Sequence, residues 1–291
     1  VAKPSMTNQK QVELTLHATG YCTHPEWITM RGGSVRSIRI PAGFARIVHP
    51  EHGTILFDTG YAARFFDAAS RFPYSIYRRV TPVVHDPSEG AAMLLKRQFN
   101  LDAGEVNLII LSHFHADHVA GLCDFPNARF IYLPEAYEAV RGLRGLAAVR
   151  AGFLPDLMPE DFGFRSSPVP PSARVPLPEG WPFPDDGYDL LGDGSLIGVD
   201  VSGHATGQMG LLLSTAEHEY FLCADAAWSG QAIRENRPPH PLAGLIMPDR
   251  RQYLQTFTRL RLLAERFPQL RIIPSHCGEV WRMYIQRNER L

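Results

Sequence analysis

The apolar run Asn107-Leu108-Ile109-Ile110-Leu111 leads directly into Ser112-His113-Phe114-His115-Ala116-Asp117-His118, and no other feature constrains this chain as strongly. Four apolar residues in succession, Leu108 to Leu111, leave no polar face, so the run from Asn107 reads as a fully buried strand. Such a strand ends where active sites of α/β sheets gather, outside its carboxyl edge. Three imidazoles and a carboxylate at that edge suit zinc and neighbouring divalent ions. The competing reading is a polar loop capping a helix with Asp117 or Ser112. It is disfavoured because histidines buried together without a cation are costly to desolvate and repel one another when protonated.

Three more sites follow apolar strands in the same way. Val199-Asp200-Val201 runs into Ser202-Gly203-His204, Phe221-Leu222-Cys223 into Ala224-Asp225, and Ile272-Ile273 into Pro274-Ser275-His276. Taken singly each is a turn residue; together they bring the candidate metal ligands to seven.

The rest of the chain is read around these sites. Strands are expected over 12–19, 35–49 and 54–57, then 129–133, 195–201, 210–214, 219–223 and 270–273. Helices are expected over 88–99 with Ser88 as N-cap, over 134–141, and over 250–267. Two blocks of strands, each followed by helices, point to a layered α/β sandwich. Residues 1–10 are polar and read as a flexible N-terminus, and 11–291 as one domain with excursions at 61–87 and 142–188. The first excursion is aromatic and the second proline-rich. Both are expected to wall a substrate pocket, with Phe65 and Phe66 among its residues, although a homodimer interface has the same composition.

Composition narrows the function. With 29 Lys and Arg against 30 Asp and Glu, the formal net charge is −1, which excludes a nucleic-acid binder that relies on bulk positive charge. No apolar run approaches the roughly 18 residues that span a bilayer. A cytoplasmic protein without membrane partners is expected, its start open to trimming because residue 1 is Val. The four cysteines, Cys22, Cys123, Cys223 and Cys277, are widely spaced and read as free thiols, Cys277 as a small buried one beside a ligand. His17, His24, His49, His52, His85, His218 and His240 read as surface or strand-edge residues, with His24 and His85 nearest the mouth of the site.

The motif set resembles the metallo-β-lactamase superfamily, with its His-x-His-x-Asp-His run followed by His, Asp and His after successive strands. The resemblance covers about Val12 to His276 and implies a four-layer αβ/βα sandwich. Carried over residue by residue, it gives His113, His115 and His204 to one metal, and Asp117, His118 and His276 to a second. Asp225 would bridge them, and Asp58 would orient ligands from behind. The implied cofactors are two divalent ions, zinc before Mn, Fe or Co. The implied function is a metal-dependent hydrolase whose bridging hydroxide opens a lactone, ester or thioester of a small hydrophobic substrate. Asp117 would orient that hydroxide and shuttle a proton. Phosphodiester hydrolysis and a metal-containing binding protein with little turnover are the alternatives. The layout is closest to the quorum-quenching lactonase branch, with one departure. That branch commonly carries tyrosine three residues after the bridging aspartate, where this chain has Trp228, an N–H donor that cannot act as an acid.

Overall fold

The structure, a computed structural model, describes residues 10–184 and 186–285. Most of the expected flexible N-terminus, residues 1–9, lies outside the described residues. Lys10 is held in place, its Nζ 2.8 Å from Glu51 and 3.1 Å from Asp193.

Among the described residues thirteen strands form two mixed sheets. The strands are β1 Glu13–Pro25, β2 Ser37–His49, β3 Gly53–Phe57, β4 Val83–Val84, β5 Leu108–Ile110, β6 Arg129–Tyr132, β7 Ser166–Pro168, β8 Arg174–Val175, β9 Gly187–Asp189, β10 Leu196–Asp200, β11 Met209–Ser214, β12 Glu219–Ala224 and β13 Arg271–Pro274. The first sheet runs β4-β1-β2-β3-β5-β6-β7 and the second β13-β12-β11-β10-β9-β8.

The period-2 alternation of strand side chains divides the apolar residues into three buried layers. Leu211, Leu213, Tyr220 and Leu222 of the second sheet meet Leu14, Ile47, Ile55 and Ile110 of the first in one cluster, which is the core between the sheets. Leu212 and Phe221 point the other way, toward the helix Arg250–Arg266. That helix presents Tyr253, Phe257, Leu260 and Leu263 at helical spacing. Leu56 and Ile109 join the third cluster, under the helices of the first sheet. Three apolar interfaces define four layers, helix–sheet–sheet–helix, as in the αβ/βα sandwich.

Several local expectations are corrected. Ser88 is not the cap of the helix: it lies in a 3-10 turn at Pro87–Glu89 capped by Asp86, whose carboxylate accepts the Ser88 N–H at 2.9 Å, and the α-helix begins only at Ala91, with Gly90 as its N-cap. The aromatic excursion contains two short helices, Arg64–Ala68 and Ser75–Val80. Phe65 is fully buried there with Tyr61 and Tyr77, and Phe66 packs on the same cluster. These aromatics stabilise the fold rather than wall a pocket. The proline stretch holds only short pieces, and its Trp181 and Phe183 pack on Phe221 of the second sheet.

Two of the histidines read as surface or strand-edge residues are buried. His49 Nδ1 accepts the N–H groups of Glu51 and His52, and its Nε2 faces Asp193 at 3.0 Å. His17 is stacked on Phe44 and edge-on to Phe99. Burial, with a smaller push from Arg46, lowers the His17 pKa from 6.5 to about 4. A base that folds neutral gives stability that is complete above pH 6.5 and is lost as pH falls from 6.5 to about 4. The shift corresponds to about 3 kcal/mol. Denaturant titrations of wild type and His17→Leu at pH 7 and pH 4 should therefore show the stability difference moving by that amount in favour of the variant. A difference independent of pH would remove His17 as an acid-sensitive group.

Candidate metal centre

Five strand ends converge on one edge of the two sheets. β3 delivers Asp58, β5 the histidine run, β10 the His204 loop, β12 Asp225 and β13 His276. Several of these loops are pinned by hydrogen bonds from other elements. Met209 N–H donates to Ser112 O at 2.8 Å, Ala116 N–H to Gly152 O at 3.0 Å, and Gly43 N–H to Ser275 O at 3.1 Å. The His204 loop is fixed by Thr256 Oγ1, which donates to Ser202 O at 2.8 Å. Gly203 and Gly207 on either side of His204 have φ of 133° and 62°. A Cβ on Gly203 would stand 2.3 Å from Tyr253 N, and one on Gly207 2.4 Å from Ala136 N, so no other residue fits at either position.

Asp58 and Ala224 are both non-glycine residues with positive φ, 62° and 48°, at the ends of strands that feed the site. Such residues cost about 1–2 kcal/mol and persist only when their surroundings over-determine them. Asp58 is so held. Its Oδ1 accepts Ser112 N–H at 2.8 Å, and its Oδ2 accepts Ser112 Oγ–H at 2.7 Å and faces His118 Nδ1 at 2.8 Å. That fixes the His118 ring with Nε2 turned inward. His276 is fixed in the same way, Nδ1 donating to Pro41 O at 2.7 Å.

All seven candidate ligands meet at this edge. One cluster contains His113, His115 and His204, a second Asp117, His118 and His276, and a third joins His113 and His118 to Asp225; in each the ligand atoms lie within 4.8 Å of one another. Asp225 touches both sides, its Oδ2 2.9 Å from His276 Nε2 and 3.2 Å from His204 Nε2, its Oδ1 3.4 Å from His118 Nε2. Asp117 Oδ2 lies 3.4 Å from His276 Nε2 and 3.9 Å from His118 Nε2.

The donor set fits cations. His113 Nε2, His118 Nε2 and Asp225 Oδ1 are buried without a hydrogen-bond partner, a cost a protein seldom carries unless something else satisfies those atoms. His115 Nδ1 and His204 Nε2 face each other at 3.0 Å. Burial holds His113 and His204 well below the ordinary histidine pKa and brings His115 to about 4, which keeps all three as the neutral imidazoles that bind metal. His118 and His276 differ. Burial disfavours their charge, but Asp58 and Asp225 outweigh it for His118, and Asp225 and Asp117 raise His276 to about 9. The carboxylates thus demand positive charge at the side of the site where Asp117, His118 and His276 meet.

Two cavities open beside the centre. One of about 450 Å³ is lined by His276, Trp228, Trp281, Ile40, Arg39 and Arg282. The other, about 240 Å³, reaches His115 and is mostly apolar, with Phe114, Ala136, Val140, Ala151 and Met247 in its wall. Trp228 stands edge-on to His204 at 5.8 Å with its Nε1 unpartnered. Neither cavity is lined by Phe65, Phe66, His24 or His85. The second excursion contributes Ala147, Arg150 and Ala151 from 142–188, but nothing from its proline-rich part. Sequence reasoning missed the walls at 26–40, 245–248 and 278–282, which carry no ligand signal of their own. All four cysteines are free. Cys277 is buried, its Sγ accepting Gly230 N–H at 3.3 Å.

The sequence pattern of the metallo-beta-lactamase superfamily matches residues 42–276, a span that begins in β2 and ends on His276. The chain belongs to that superfamily. It is a hydrolase of the family, with a metal-binding site, and it falls with the lactonase-like branch. An N-acyl homoserine lactonase, AttM of Azorhizobium caulinodans, is 27% identical over 259 residues, covering 87% of this chain and 88% of the relative. The superfamily fold is also seen in an N-acyl homoserine lactone hydrolase solved with N-hexanoyl-L-homoserine at its catalytic metal centre. That structure has a TM-score of 0.70 and 18% identity, covering 97% of this chain and 100% of the other. The dizinc quorum-quenching lactonase AidC aligns with a TM-score of 0.63 and 18% identity, covering 93% and 89%. Among the described residues no helix is long and apolar enough to cross a membrane.

Proposed function

We propose that the seven side chains hold two zinc ions and that the protein opens a lactone, ester or thioester bond in a small substrate with a hydrophobic acyl group. The position of Asp225 carries this reading. One carboxylate lies against histidines of both outer clusters, with one oxygen buried and otherwise unpartnered, as a group shared by two cations requires. When bound, the ions would acidify a water molecule and polarise the substrate carbonyl.

The chain's own residues do the rest. Asp117 is the most accessible of the three inward carboxylates, with 8% of the residue exposed against 2% for Asp225 and none for Asp58. Asp117 takes the proton of the attacking water and returns it to the leaving oxygen. Asp58 holds His118, and Pro41 O holds His276, so these two rings keep their orientation through the reaction. The Trp228 N–H, lacking a partner, is free to donate to a substrate oxygen. The apolar cavity beside His115 suits an acyl chain, and the lactonases among the relatives support the substrate class.

Zinc-reconstituted protein assayed against lactones, aryl esters, thioesters and bis-aryl phosphodiesters should turn over carboxylic substrates in preference to phosphodiesters. Elemental analysis should find close to two ions per chain. Saturation at one ion, or turnover of phosphodiesters alone, would sink the reading.

A further inference from the structure

The 450 Å³ cavity holds charged side chains that hydrolysis of a purely hydrophobic ester leaves unexplained. Its lining includes two arginines, Arg39 and Arg282, and two glutamates, Glu26 and Glu279. The glutamates answer to other groups: Glu279 Oε1 binds Arg234 at 2.7 Å, while Glu26 Oε2 accepts Ser34 N–H at 2.8 Å. Among the described residues no carboxylate is paired with Arg39 or Arg282. Both arginines are nevertheless placed. The Arg39 guanidinium lies 4.9 Å over the Tyr21 ring, which rests against Trp281 at 5.9 Å. Arg282 folds back to within 3.8 Å of where a Cβ on Gly278 would stand, two residues from His276.

We infer that this cavity receives the alcohol side of a substrate bearing an anionic group, a carboxylate remote from the scissile bond, held by Arg39 and Arg282. The assignment rests on the ester-opening function proposed above. Guanidinium groups bind carboxylates through charge-assisted, often bidentate hydrogen bonds. The separate apolar cavity that reaches His115 is left for the acyl chain. Trp228, edge-on to His204, and Trp281, against Tyr21, line the same cavity and suit a planar apolar spacer, so an aryl carboxylate matches its aromatic and cationic lining.

Two probes separate this recognition from the hydrolytic function itself. The first is the pair 4-carboxyphenyl butanoate and its neutral match 4-carbamoylphenyl butanoate. Wild type should prefer the carboxylate by roughly 10-fold or more in kcat/KM, mainly through KM, the scale of a hydrogen bond to a charged group. That preference should shrink as salt rises. It should disappear in Arg39→Gln/Arg282→Gln and return in part in Arg39→Lys/Arg282→Lys. The second probe is the corresponding pair of butanamides, which resist hydrolysis, titrated calorimetrically into zinc-loaded protein. If wild type hydrolyses neither ester, the proposed function falls while the amide pair still decides the arginines. No preference for the carboxylate, or a preference that survives in the Gln double variant, would overturn the assignment, because the anion would then be read elsewhere.

Discussion

Asp225→Ala is expected to empty both halves of the metal centre and to reduce kcat/KM by more than the ~10–100-fold that loss of a residue behind a ligand costs. The reason is geometric. His204, His118 and His276 come from three different loops, and Asp225 is the one side chain whose oxygens approach all three, at 2.9 to 3.4 Å. Without it, His118 and His276 lose a carboxylate that favours their charged state, and the loops after β5, β10 and β13 lose their common anchor. Asp58→Ala is the internal comparison, since Asp58 touches only Ser112 and the outer nitrogen of His118. Zinc content measured beside kcat/KM for both variants checks the ordering. Full metal occupancy in Asp225→Ala would refute its shared role, and an Asp58 variant as damaged as the Asp225 one would show that loop positioning, not ligand sharing, dominates.

Asp117→Asn is expected to retain metal and lose roughly 10² or more in kcat, the usual contribution of a positioned acid–base group. The amide keeps an oxygen 3.4 Å from His276 but cannot carry a proton between water and leaving group. The loss should be largest for substrates with poor leaving groups, because these depend most on protonation as the bond breaks, and smallest for nitrophenyl esters. A uniform loss across leaving groups, with zinc content halved, would reduce Asp117 to a ligand. Unchanged activity with both ions present would remove it from the reaction.

The parts of this protein legible in its sequence are those governed by local periodicity and by the chemistry of single residue types. Leu108–Ile110 had to be a buried strand because no face of it is polar, and β11 and β12 had to pair with apolar residues on both faces because their neighbours alternate between two cores. Every candidate ligand sits just after such a strand, so one rule located all seven. The aromatic excursion misled for the converse reason. Composition says that Phe65, Phe66 and Tyr77 seek burial, but it cannot say whether the burying surface is a ligand or the helix Ala91–Phe99 and its sheet. The same ambiguity left His17 and His49 as surface or strand-edge residues, when long-range packing on Phe44 and pairing with Asp193 bury them.

Sequence alone determined that imidazoles and carboxylates suited to holding a metal would stand at the ends of successive strands, because side-chain chemistry and strand burial are local properties. Tertiary structure alone decided that Asp225 lies between the two histidine groups, that left-handed backbone at Asp58 and Ala224 aims the carboxylates inward, and that the arginines at 39 and 282 share one cavity beside His276. These are relations between residues as many as 243 positions apart, fixed by how two sheets stack. No local pattern records them, because the energy that sets them is released only when distant faces are buried together.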